Sequence, residues 1–523
     1  MSNSPFDEIR QRVDDAIFGF GLAAQMRVLS VDGLRLAPAL ATAVAKFGVG
    51  PAIGFEAAAN AYGDAVGLYD DFGALTFREL RDQSDALTVA LGERGVDAGN
   101  KVGVLARNHR GLIMSTVALS KLGADIVFFN TGFAAPQVAD VAAREGVVAF
   151  IADAEFDDLV SGVDVARFQA DALDELIDEG LGRHPSKPTR ASRTVILTSG
   201  TTGTPKGASR DTSSAGGAAV GFAARLKFQI RDTVLIAAPA FHAWGAAHLA
   251  AGMLFGSTVV LQRRFDPEEV LRAIDMHHVR TLVVVPVMLQ RLLDLPADVR
   301  AKYDTSSLEV VASSGSALPG PLAQRWMDAF GDNLYNTYGS TEVSIATIAD
   351  PQQLRAHPGT AGTPLRGSKV VLHGGRIFVG NAALFDGYTG GCTKEMIDGL
   401  MATGDMGHFD DEGNLYVDGR DDDMIVSGGE NVFPKEVEDL LAGHPDISEA
   451  AVVGAPDEKF GQRLVAYVVK RGDVTEEQVR DYVKAHLARH KVPRDVHFID
   501  ALPRNATGKV VRRELQQRDG DSA

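Results

Sequence analysis

The chain has 523 residues, 45% hydrophobic and 23% charged, the proportions of a folded protein with a core large enough to need no staples. Its 52 basic and 69 acidic side chains give a formal charge of −17, which argues against general nucleic-acid binding and against charge-driven docking on anionic lipid. The single cysteine, Cys392, excludes an intrachain disulfide and any CxxC metal site.

The opening MSNSPFDEIRQRVDD carries acidic residues and no apolar stretch of the kind found in secretory signals. The longest apolar run, LAAGMLFGSTVVL at 249–261, is shorter than the roughly 20 residues a membrane-spanning helix needs. A cytoplasmic protein without integral membrane association is expected, with loose membrane contact left open. Residues 5–62 are rich in alanine at helical spacing, with a Gly/Pro break near 48–54. VGLYDDFGALTFREL then reads as a hairpin turning at 71–73, followed by a helix over 77–94.

From there strand and helix alternate: strands at 101–106, 124–130 and 147–152, with helices at 111–122 and 134–145 between them. Further strands are predicted at 194–199, 233–238, 257–261, 281–285 and 308–313. This alternation predicts an α/β fold with parallel sheets. From Lys369 the texture changes to short strands and turns, a small β-rich subdomain. From Asp421 the chain is charged and mixed, an α+β unit. We therefore expect a large N-terminal domain over 1–419 and a small mobile C-terminal domain over 420–523, with a frayed tail after Leu515.

The sharpest local signal is TSGTTGTPKG at 198–207, directly after an apolar strand. Gly200 and Gly203 allow close backbone approach to a ligand. Consecutive amides make an anion-binding concavity, and Thr198, Ser199, Thr201, Thr202 and Lys206 add hydroxyls and charge. The combination suits a polyphosphate. It is not a Walker A loop, because Pro205 rather than glycine precedes Lys206.

With this loop the sequence resembles the adenylate-forming (AMP-binding) superfamily, which includes acyl-CoA and aryl-CoA synthetases, firefly luciferase and peptide-synthetase adenylation domains. Six further segments follow in family order: PAFHAWG at 239–245, SSGSALP at 313–319, NTYGSTE at 336–342, TGD at 403–405, GRDDDMIVSGGENVFPKEVE at 419–438 and PRNATGKVVRREL at 503–515. The resemblance implies roles. His242 lies beside the acyl pocket, with Trp244 packing or gating nearby. Gly315, Ser316 and Ala317 lie along the adenine, with Asn336 and Thr341 contributing to the nucleotide site, and Tyr338 stacks on the base. Glu342 holds Mg²⁺, as a hard cation wants a carboxylate. Asp405 and Arg420 meet the ribose, Asp422 is the hinge, Gly428 and Gly429 let the pantetheine arm pass, and Lys509 is the catalytic lysine. Two segments depart from the family: ASRDTSS at 208–214, and Arg376 where relatives often carry glutamate.

The implied activity is that of an ATP- and Mg²⁺-dependent acyl-CoA synthetase. A carboxylate attacks the α-phosphorus of ATP, pyrophosphate leaves, and the thiol of CoA takes the acyl group from the acyl-adenylate. A medium- to long-chain fatty acid is the expected acid. An aryl or sterol side-chain acid, a carrier-protein phosphopantetheine acceptor, and a nucleotide sensor without turnover remain as alternatives. The expected partners are small molecules, the acid, ATP and CoA, with a homo-oligomer compatible with the sequence.

Overall fold

The computed structural model describes residues 21–198, 205–209, 216–389, 391, 393–427, 430–457 and 460–520, the side chains of 198, 209, 216–220, 519 and 520 excepted. The fold is mixed α/β, and the chain forms two compact units. One comprises Met1–Val283, Tyr303–Val310 and Phe385–Cys392; the other comprises Val284–Lys302, Val311–Leu384 and Thr393–Ala523.

In the first unit, a seven-stranded sheet runs in the order Gly387–Tyr388, Lys206–Ser209, Thr194–Thr198, Asp125–Phe128, Lys101–Leu105, Val147–Ala152, Ala166–Gln169. Its inner pairs are parallel, and the pairs on either side of Lys206–Ser209 are antiparallel. Val102, Val104, Ile126 and Val127 are fully buried, as expected where helices cover both faces of a parallel sheet. A second group of strands is ordered Thr281–Val284, Thr233–Ile236, Thr258–Leu261, Val66–Asp70, Gly73–Thr76, the last two forming the predicted hairpin. The helix Phe77–Glu93 starts where a capping box forms between Thr76 and Glu79.

Three helices of this unit, Ala52–Tyr62, Phe77–Glu93 and Arg110–Leu122, are tied by a buried ionic cluster. Lys121 is fully enclosed, donates to Ser84 Oγ (3.0 Å) and to Asp85 Oδ1, and lies 3.4 Å from Glu56 Oε2.

In the second unit, Val310–Ser313 lies parallel to Leu334–Ser340, which turns back into the antiparallel strand Ser344–Ala349. The β-rich subdomain expected from Lys369 is a five-stranded sheet over 368–420. A further sheet, built wholly after Arg420, has the order Glu430–Val432, Ile425–Ser427, Gly461–Lys470, Ile447–Asp457, with Asp495–Phe498 paired parallel to Gly461–Lys470. Val437, Val452, Val468 and Val479 fill its core.

One expectation fails here. The tail after Leu515 is not frayed through its described length: the helix Arg512–Gly520 continues past it. Leu515 is fully buried and its carbonyl accepts from Tyr467 Oη at 2.8 Å, so one apolar residue anchors a polar helix. Among the described residues no helix is long and apolar enough to cross a membrane.

Candidate active site

Five of the motif residues meet within the second unit. The strand Leu334–Ser340 ends in a tight reversal, and the chemistry of the turn explains the sequence there. A Cβ on Gly339 would stand 2.0 Å from the Ser344 carbonyl oxygen, so only glycine fits. Ser340 Oγ accepts from the amides of Glu342 (3.3 Å) and Val343 (3.4 Å), and Asn381 Nδ2 donates to the Val343 carbonyl (2.9 Å). Glu342 is thereby presented from a braced tip and is itself buried.

Tyr338, four residues earlier on the same turn, donates its hydroxyl to Asp405 Oδ2 at 2.7 Å. Burial pushes the Tyr338 phenol well above its ordinary range, and the neighbouring Asp405 charge pushes it further, so the hydroxyl stays a donor. Asp405 is set by Thr403: the Thr403 hydroxyl accepts from the Asp405 amide (3.1 Å) and donates to the Ile377 carbonyl (3.0 Å). Arg420 pairs with Asp405 across the two strands, its Nη1 lying 3.7 Å from Asp405 Oδ1 and its Nε donating to Asp422 Oδ1 at 2.9 Å. Burial works against the Arg420 charge, but the bond to Asp422 and the charges of Asp405, Asp422 and Asp423 outweigh it and hold the guanidinium protonated.

Lys509 enters this cluster on a loop organised by Asn505. Asn505 Oδ1 accepts from the Thr507 amide (3.0 Å), the Thr507 hydroxyl (2.7 Å) and the Lys509 amide (3.0 Å). Arg504 closes the loop by donating to the Gly508 carbonyl (2.6 Å). Gly508 has φ +82°, and a Cβ there would stand 3.1 Å from both Val285 and Val287. The Lys509 side chain is reachable by solvent but has protein on several sides, and the resulting desolvation lowers its pKa; Asp405 and Glu342 favour its charge, Arg420 opposes it. Among the described residues the ammonium has no hydrogen bond and no ion pair.

The small-residue turn stands beside this group. Ser314 Oγ donates to the Thr337 carbonyl (2.8 Å), and Gly315 (φ +92°) leaves only 3.2 Å between a Cβ and Val285. Ser316 is half-buried, Ala317 exposed and Thr341 half-buried. Asn336 Nδ2 donates to the Thr360 carbonyl at 2.9 Å, which braces the strand. The hydroxyls of Ser313 and Thr337 are buried with no protein partner. Buried polar atoms are rarely left so, and a polar ligand at this turn fits them. No group of three or more metal-ligating side chains exists among the described residues. The single carboxylate of Glu342 fits Mg²⁺, which takes most of its ligands from phosphate oxygens and water.

The remaining motif residues belong to the first unit or fall outside the described residues. Thr198 and Lys206 face each other across an antiparallel pair. Ser199, Gly200, Thr201, Thr202 and Gly203, which connect them, lie outside the described residues, as do Gly428, Gly429 and Cys392. Lys206 is exposed, its Nζ 5.1 Å from the centre of the Tyr388 ring. His242 caps the helix Ala243–Leu254 and is half-buried. A Cβ on Gly245 would stand 2.3 Å from the Pro239 carbonyl oxygen, which explains the glycine that closes this motif. Trp244 packs edge-on against Phe222 (6.2 Å) and His248 (4.2 Å).

Two positioning residues escape a motif search. Asn108 is buried and clamps the segment leading to His242, donating to the carbonyls of Ile236 (3.2 Å) and Ala238 (2.9 Å) and accepting from the Ala240 amide (2.8 Å). Its place just beyond a parallel strand, where α/β folds gather functional groups, was the available signal. Asn505 is the other, legible only as a turn residue near Gly508.

A family profile described as "AMP-binding enzyme" matches residues 55–388, more than half of the chain, and one described as "AMP-binding enzyme C-terminal domain" matches 436–509. A 2-succinylbenzoate–CoA ligase of Bacillus cereus is 34% identical over 458 residues, covering 85% of this chain and 93% of the relative. The structure of o-succinylbenzoate CoA synthetase from Bacillus subtilis, in complex with its acyl-adenylate intermediate, is similar with a TM-score of 0.78 at 29% identity, covering 88% of this chain and 97% of the other. A fatty acyl CoA synthetase of Mycobacterium tuberculosis is similar with a TM-score of 0.71 at 26% identity, covering 90% and 99%.

Proposed function

The chain belongs to the AMP-binding enzyme family, in its acyl-CoA ligase branch, and we propose that it joins a carboxylic acid to CoA through an acyl-adenylate made from ATP. The observation that carries this reading is the convergence of Lys509, Glu342, Asp405 and Arg420 in one electrostatic group, with Lys509 unpaired among the described residues. An unpaired ammonium beside a ribose-type acceptor and a metal-type carboxylate is placed to meet a charge that develops during reaction.

In the first half-reaction a carboxylate oxygen attacks the α-phosphorus, the bond to the bridging oxygen breaks, and pyrophosphate leaves. Catalysis of such transfers is mainly positioning and charge stabilisation. Asp405 and Arg420 hold the ribose, and Tyr338, fixed by its bond to Asp405, presents a ring face to adenine. The loop 198–206 and Lys206 receive the leaving phosphates, and Lys509 bridges carboxylate and α-phosphate oxygens. Mg²⁺ at Glu342 supplies neutralisation of phosphate charge. In the second half-reaction the thiolate sulfur attacks the acyl carbon, AMP leaves, and the thiol proton passes to solvent. Residues 420–523 form the mobile domain in this reading, turning about Asp422 so that Lys509 leaves and Gly428 and Gly429 line the thiol path.

For the acid, an aromatic carboxylate replaces the fatty acid expected from sequence. The reading is supported by the aryl acid named for the broadly matching relatives. A fatty acid is the second reading, favoured by the likeness to the mycobacterial enzyme. Pyrophosphate release with MgATP, measured over aryl acids and fatty acids of graded length with and without CoA, tests both. Turnover needing an aryl acid and CoA is the expected result. Preference for a long-chain acid would reverse the substrate reading, and release that CoA does not accelerate would point to a carrier-protein acceptor.

A further inference from the structure

In the first unit a cavity of about 640 Å³ opens at the junction of the helices Val31–Phe47, Ala52–Tyr62 and Phe77–Glu93. Its lining includes four arginines, Arg35, Arg78, Arg81 and Arg231, against two aspartates, Asp32 and Asp64. In a chain with a formal charge of −17, a concave surface with this excess of guanidinium groups stands apart.

The arginines differ in how they are held. Arg78 donates to Asp64 (3.0 Å) and Arg81 to Asp82 (2.9 Å), so these two are neutralised by neighbours. Arg35 and Arg231 have no carboxylate within ion-pair distance among the described residues. Arg35 is exposed at the mouth. Arg231 is half-buried and fixed: it donates to the Gly256 carbonyl (2.9 Å), and its guanidinium lies 4.9 Å from the Tyr62 ring centre and 5.5 Å from that of Phe77. Its backbone stands at φ +63°, a left-handed conformation costly for a residue with a side chain. Such strain persists where the surroundings impose it, and it is concentrated at functional sites. Burial lowers the pKa of this guanidinium, and the Asp32 charge offsets this only in part. Tyr62 donates its hydroxyl to the Asp32 carbonyl (2.6 Å) and stays protonated, its pKa raised to about 12 mainly by burial.

We infer that this cavity is a second ligand site, for a small phosphorylated molecule whose phosphate is held by Arg35 and Arg231. Phosphate suits the forked guanidinium better than a single carboxylate does, because it offers several acceptor oxygens and two charges. The volume exceeds that of a bare anion and lies in the range of small-molecule sites, so an organic body accompanies the phosphate. Asp32 and Arg35 come from a helix that precedes the family match at residue 55, so the site is joint between that helix and the family core. It shares no residue with the catalytic group and does not rest on the reading of that group.

Isothermal titration of the full-length protein with AMP, and separately with inorganic pyrophosphate, tests the inference. Two classes of binding per chain are expected for at least one probe. Arg35→Ala, an exposed position without a role in packing, weakens one class at least tenfold and leaves the other, and turnover measured without added probe is unchanged. Arg231→Gln does the same where its melting curve shows it folded. AMP binding at this class supports a phosphate ester, and binding of pyrophosphate alone overturns the organic body. One class only, or a second class indifferent to Arg35→Ala, overturns the inference. So does equal occupancy by chloride, which would mark an adventitious ion only.

Discussion

Lys121 and Lys509 each stand among carboxylates, one in each unit of the molecule. Lys121 is fully buried, donates to Ser84 and Asp85, and is ion-paired with Glu56 at 3.4 Å. Lys509 is open to solvent on one side, its ammonium has no hydrogen bond among the described residues, and its pKa is lowered by desolvation. The first arrangement is complete and can only hold helices together. The second is incomplete in the way a catalytic charge must be, since an interaction already satisfied in the ground state adds nothing to the transition state. The number of carboxylates nearby does not separate the two lysines; the satisfaction of their protons does.

The contrast is broken most directly by removing each lysine. Lys509→Ala should lower adenylation about 10²–10³-fold, the loss typical of one transition-state donor, while the melting temperature stays near that of the parent. Lys121→Met should do the opposite. It leaves Asp85 and Glu56 buried without their cation and should cost about 3–5 kcal/mol in denaturant unfolding, with kcat of the folded protein unchanged.

Gly508→Ala sharpens the comparison from the side of geometry. The substitution strains a residue at φ +82° and presses Val285 and Val287, so the loop must shift and carry Lys509 with it. A loss of about tenfold in adenylation is expected, in line with the sensitivity of such sites to small misplacements. The pH profile reads the charge itself. Lys509 acts as the ammonium, which exists below its pKa, and burial has lowered that pKa. The alkaline limb of adenylation should therefore fall below the ordinary lysine range, about 10.4. Asp405→Asn removes a charge that favours the ammonium and should move the limb lower still. Lys509→Arg should abolish the limb in whatever activity remains, because a guanidinium does not deprotonate there. The smallest effect belongs to Tyr338→Phe, which deletes one hydrogen bond to Asp405 and should raise the KM for ATP by roughly tenfold or less.

Much of this was legible in the residues. The alternation after Lys101 gave the parallel strands within one or two positions, because strands buried on both faces write continuous apolar runs. Tyr338, Glu342, Asp405, Arg420 and Lys509 could be picked out through the resemblance of their motifs to the family, and the close approaches at Gly339 and Gly508 show why those motifs carry glycine. Asn108 and the Lys121 cluster were not legible, and Asn505 was legible only as a turn residue. Their partners lie far off in sequence or are backbone atoms, which leave no pattern of side chains. The helix after Leu515 was hidden for a related reason: a single buried leucine and one carbonyl anchor it, too little to register as periodicity. The acid was not legible, because apolar segments such as 240–251 and 283–289 report that a wall is greasy, not how deep the pocket behind it is.

In the proposed mechanism Lys509 serves the first half-reaction alone. The two halves can be measured apart in Lys509→Ala: pyrophosphate release from acid and MgATP, and acyl-CoA formation from synthetic acyl-adenylate and CoA. Loss of the first with the second kept near the parent rate is the predicted result. Equal loss in both would contradict it.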